Sequence, residues 1–144
     1  MANKSALFPT RGLSAGNKAL DPTVQYDGVV FSVASRAAAD YASAAYFNPN
    51  RLGIRLYINL TVVNGGTLTV KVQTFDPASQ TWVDIPLAVT AALAAVAVTT
   101  LTLYPGITET ANVDVAVPTG VLFRVVATTA TAAVTFGIGG EFLG

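Results

Sequence analysis

The stretch IRLYINLTVVNGGTLTVKVQTFDPASQTWVDIP, residues 54 to 86, decides how the rest of the chain is read. Ile54, Leu56, Ile58, Leu60 and Val62 alternate with Arg55, Tyr57, Asn59 and Thr61. Successive strand side chains point to opposite faces, so this pattern predicts a half-buried strand. Asn64-Gly65-Gly66 follows, residue types that tolerate positive φ, and then Leu68, Val70 and Val72 alternate with Thr67, Thr69, Lys71 and Gln73. A tight hairpin is the expectation. Asp76-Pro77-Ala78-Ser79-Gln80 predicts a second reversal, because proline presets φ and Asp and Ser bond nearby backbone. Trp82, Val83 and Ile85 then make a third strand ended by Pro86, completing an expected meander.

The same alternation extends outward. Gly28 to Val33 predicts a strand with Val29, Phe31 and Val33 on one face, and residues 96 to 104 a buried strand stopped by Pro105-Gly106, after a loop or short strand near 87 to 91. Val113, Val115 and Val117 form a further alternating run. Val121, Phe123 and Val125 against Leu122, Arg124 and Val126 read as a central strand, apolar on both faces apart from the arginine. Val134, Phe136 and Ile138 share a face, with Gly137, Gly139 and Gly140 permitting a bulge or a close backbone approach. The expected fold is all-β: one antiparallel β-sandwich or jelly-roll-like domain over residues 28 to 144.

Two segments read differently. Alanine propensity favours a helix over residues 37 to 46, but serines and Asn48-Pro49-Asn50 bracket little more than two turns, so an irregular connection is expected. Residues 1 to 27 show no period and are punctuated by Pro9, Gly12, Gly16 and Pro22, which predicts an extended irregular N-terminal arm without a signal-peptide core. Such an arm is either a free terminus or a docking segment whose Leu7, Phe8, Leu13 and Leu20 lie in a groove on a neighbouring subunit.

Composition narrows the function. With 144 residues the chain fits one domain that buries a core without disulfide or metal. It has neither cysteine nor histidine, which excludes thiol catalysis, Ser-His nucleophiles and Cys/His zinc sites. Charged residues are 11% of the chain against about 25% in ordinary domains, split evenly as 8 basic and 8 acidic, and 52% of residues are hydrophobic. A chain this poor in charge either covers its surface with other protein or presents a neutral Thr-, Ser- and Asn-rich surface. Neutral net charge argues against nucleic acid. No charge falls between Asp84 and Glu109, long enough for a membrane helix, but Ala and Thr dominate, no basic residues flank it and its second half alternates, so no membrane is expected.

Catalysis would fall to carboxylates or lysine, and Asp76 with Asp84 flank one turn. An Asp-Pro-Ala-Ser turn is the simpler reading, and GIGG at 137 to 140 lacks the context of a dinucleotide site. No catalytic, cofactor-binding or metal residue is therefore assigned, and no cofactor is expected. Arg55 and Arg124 interrupt apolar strand patterns, either reaching the solvent face and pairing with a carboxylate or bonding a partner subunit as interface residues. Trp82 and Tyr57 offer a sugar-stacking platform or, for Trp82, a core position.

One resemblance goes further. The set Arg51, Gly53, Arg55, Tyr57, Ile58, Asn59, Thr61, then GGTLTVKVQ at 65 to 73, FDPASQTWVD at 75 to 84, LTLYPG at 101 to 106, FRVV at 123 to 126 and VTFGIGG at 134 to 140 resembles small structural proteins of tailed bacteriophages. The resemblance spans about residues 28 to 144. It implies a virion protein without catalytic positions: a decoration, or cement, protein on the outside of the capsid, partnered by the major capsid protein and by copies of itself, with a trimer the implied oligomer. A neck, tail or head-fibre component and a carbohydrate-binding adhesion module are the alternatives.

Overall fold

β4 (Gly53–Val62) and β5 (Thr67–Asp76) are the strands the alternation predicts, yet they lie in different sheets of the computed structural model, which describes residues 28–48 and 50–144. The Asn64-Gly65 turn is formed as its residue types require: both adopt positive φ, and the Gly66 amide donates to the Val63 carbonyl at 2.7 Å. It closes an arch, not the expected hairpin. β4 instead pairs with β10 (Val134–Leu143) and β7 (Ala97–Leu103), while β5 pairs with β9 (Leu122–Ala130) and β6 (Thr81–Val89). Of the expected meander only the β5–β6 hairpin exists.

The edges are completed by β1 (Val29–Arg36) beside β10, β2 (Asp40–Ala42) and β3 (Tyr46–Phe47) beside β9, and the short parallel β8 (Asp114–Val115) beside β7. One sheet thus runs β1-β10-β4-β7-β8 and the other β2-β9-β5-β6. At each of the first four positions the facing strands are neighbours in the chain: β1 with β2, β10 with β9, β4 with β5, β7 with β6. All four crossings occur at the same end, as the registers Arg36↔Val134, Thr135↔Val62 and Leu60↔Ala97 require. These eight antiparallel strands form the jelly-roll arrangement, to which β3 and the parallel β8 are added at the edges, and no helix occurs among the described residues.

The core is the space between the sheets. Ile54, Leu56, Ile58, Leu60, Leu101, Leu103, Phe136 and Phe142 from one sheet meet Leu68, Val70, Val72, Phe123, Val125 and Ala127 from the other in one buried cluster. Phe123 joins the layers, stacked on Tyr46 at 5.6 Å and edge-on to Phe142 at 6.0 Å.

Several local expectations change. The predicted face of Val29, Phe31 and Val33 is broken by two register shifts in β1, and Val29 and Val33 are exposed. Pro86 does not end β6: as an edge strand it accommodates a residue lacking an N–H, and Leu87 beyond it takes a φ of 67°. The Ala-rich connection carries the short β2. In β7 the inward residues are Leu101 and Leu103, which leaves Val96 and Val98, of opposite parity, in solvent.

Candidate interaction surfaces

Outward-facing residues of β5, β6 and β9 form a polar ladder across one sheet. Lys71 Nζ lies 3.0 Å from Asp84, Gln73 Nε2 donates to Asp84 Oδ1 at 2.9 Å, and Arg124 Nε donates to Gln73 Oε1 at 2.8 Å. The Arg124 guanidinium then lies over the Trp82 ring, 4.7 Å from its centroid, and Phe75 meets the same ring edge-on at 5.2 Å. Trp82 is therefore a half-buried residue of the outer face, and its core reading is corrected. Gln73 first and Lys71 second hold the Asp84 carboxyl below its usual value. Asp76, which accepts from Ser79 Oγ and the Ala78 amide, is held down by those bonds. Both are ionised turn and ladder groups with local partners, not raised-pKa proton donors.

Beside this ladder lies an apolar basin of about 560 Å³ lined by Phe47, Thr74, Phe75, Pro77, Val121 and Leu122. Strand parity makes it: Tyr46 and Phe123 point into the core, so Phe47 and Leu122, paired with each other, must point out. Phe47 is 68% exposed and Val121 69%. Sequence reasoning passed over Phe47 and placed Val121 on one face with Phe123 and Val125, whereas Val121 precedes β9 and is exposed. The signal was there, since two aromatics at adjacent strand positions cannot share a face.

The other sheet carries Arg55, whose Nε donates to Thr102 Oγ1 at 3.3 Å and whose NH1 lies 3.7 Å from Glu141. Tyr57 donates its hydroxyl to the same Glu141 at 2.6 Å. Next to this cluster a groove of about 430 Å³ runs along β10, floored where Gly137 and Gly139 supply no side chain and walled by Val29 and Val33 on one side and Tyr57 and Asn59 on the other.

Arg55 and Arg124 thus occupy opposite outer faces and share no site; Tyr57 and Trp82 are separated in the same way and form no common platform. Leu7, Phe8, Leu13 and Leu20 lie outside the described residues. Among the described residues no group of three or more acidic side chains is placed to hold a metal ion. No protein-family model matches the chain, and no curated protein sequence matches it.

Proposed function

We propose that the protein is a virion structural protein: a decoration, or cement, protein seated on the outside of a tailed-phage head, where it stabilises junctions between copies of the major capsid protein. The observation that carries this reading is the basin around Phe47 and Val121. Large apolar side chains gathered in one open hollow of a chain with 11% charged residues favour a site that other protein covers. A pressurised shell needs many identical contacts and no turnover, and a rigid sandwich supplies contacts of that kind. On this reading the protein is a non-enzymatic homo-oligomer, and Leu7, Phe8, Leu13 and Leu20 add contacts to a neighbour.

The test is stoichiometry and reconstitution on purified particles. The protein is expected on the outer shell in numbers comparable with the shell protein, and the double variant Phe47→Ser/Val121→Ser is expected to fold yet fail to re-attach. A copy number far below that of the shell protein would transfer the assignment to the neck or tail. A second reading, a glycan-binding module on the virion, draws on the outer-face placement of Trp82 beside Phe75. Quenching of Trp82 emission by added glycans would favour it.

A further inference from the structure

Among the described residues, Arg124 is a cation without a carboxylate partner. Lys71 lies 3.0 Å from Asp84 and Arg55 3.7 Å from Glu141, while Arg36 donates to the backbone carbonyls of Ser32, Ala34 and Phe136. The half-buried Arg124 donates from its Nε to the neutral Gln73 side-chain oxygen at 2.8 Å, which leaves the fork of its two terminal nitrogens for a further acceptor. Asp84 is already held by Lys71 and Gln73, and Asp76, in the turn beside Pro77, by Ser79 and the Ala78 amide. This guanidinium stands at the rim of the apolar basin. Phe75 lines the basin and meets the Trp82 ring edge-on at 5.2 Å, and the guanidinium lies over that same ring, 4.7 Å from its centroid. Stacking on Trp82 with Nε bonded fixes the plane of the fork, a geometry that matches a carboxylate.

A protein that covers the basin covers Arg124 with it, because a stable interface takes in roughly 20–30 residues a side and the basin supplies six. Removing the remaining water from an unpaired guanidinium is costly, and a carboxylate on the partner offsets that cost through charge-assisted, bidentate hydrogen bonds. We propose that the basin and Arg124 form one bipartite docking site for a peptide segment of the partner protein that carries a large apolar side chain and, within two residues of it, an Asp or Glu. The apolar group fills the hollow between Phe47, Phe75 and Val121, and the carboxylate bonds the terminal guanidinium nitrogens. Leu122 and Arg124 point outward two positions apart on β9, about 7 Å, and a two-residue step of an extended segment spans the same distance. This inference rests on the reading that other protein covers the basin, and adds what that protein must present.

The test uses the full chain and capped heptapeptides of serine and threonine with leucine at the third position and glutamate or glutamine at the fifth. Trp82, the sole tryptophan, reports binding because its ring carries the Arg124 stack. At low ionic strength the glutamate peptide is expected to bind about tenfold more tightly than the glutamine peptide. Arg124→Gln should erase that difference, and Arg124→Lys should restore part of it. Exchanging the leucine for serine, or using the Phe47→Ser/Val121→Ser chain, should weaken both peptides. Equal binding of the two peptides would overturn the proposal and leave the covered basin standing, whereas binding indifferent to the leucine would overturn both. A glutamate preference that persists in Arg124→Gln, or no binding of either peptide at millimolar concentration, would also overturn it. The comparison of the two peptides on the unaltered chain decides even where a variant fails to fold.

Discussion

Arg124 lays its guanidinium over the Trp82 ring while its Nε donates to Gln73. Trp82 is the sole tryptophan, so this contact can be read optically. Arg124→Ala should red-shift the Trp82 emission and cost about 0.5–1 kcal/mol in urea unfolding, the range for a cation–π contact near the surface. Arg124→Lys keeps the charge but loses the planar stack and the fork of donors, and should fall between the two.

Between about pH 2 and 7 carboxylates are the side chains whose titration can change stability, since the chain has neither histidine nor cysteine. Asp76 and Asp84 have folded pKa values below the ordinary 3.8, so the unfolded chain binds protons first as pH falls. Their contribution is fully present above about pH 5 and is lost as pH drops below about 4. The urea midpoint should be flat from pH 5 to 8 and fall below that, and Asp76→Asn/Asp84→Asn should flatten the fall.

Phe123 is buried between the layers against Tyr46 and Phe142. Truncating it empties the centre of the core, so Phe123→Ala should destabilise by about 3–5 kcal/mol in equilibrium denaturation, and Phe123→Leu by less.

Two glycines should respond very unequally to alanine. At Gly53 a Cβ would collide with the Leu103 carbonyl oxygen in the β4–β7 pair, so Gly53→Ala should prevent soluble folding or force that pair apart. At Gly65 the space is open and only the φ of 83° opposes a side chain, so Gly65→Ala should cost about 1 kcal/mol. Thermal melts of the two variants make the comparison.

Deleting residues 1 to 20 should leave the melting temperature nearly unchanged while weakening attachment to particles. Unchanged occupancy after deletion would remove the arm from the interaction.

How far the fold was legible turns on Asn64-Gly65. Residue chemistry gave the turn and both apolar faces, but the same pattern suits a hairpin, where the strands lie side by side, and an arch, where their apolar faces oppose each other across a core. The choice is made by distant partners: Leu101 and Ile138 alongside β4, Val125 alongside β5. No local pattern carries that information. The all-β class and most of the inward sets of β4, β5 and β9 were legible because period-two burial is local, although Val62 and Val121, expected on those faces, are exposed at the strand ends; the basin was not, because it is assembled from residues 47, 75 and 121 only after β3 and β5 meet β9.

The order of strands also governs how the chain is made. β10 supplies the partner of both β1 and β4, so the sheet they share cannot close until Val134–Leu143 has been synthesised, long after β4 has emerged from the ribosome. Until then β4 can pair only with β7 and, until β9 is made, β5 only with β6, so one edge of each is left open and the nascent chain exposes those edges to aggregation.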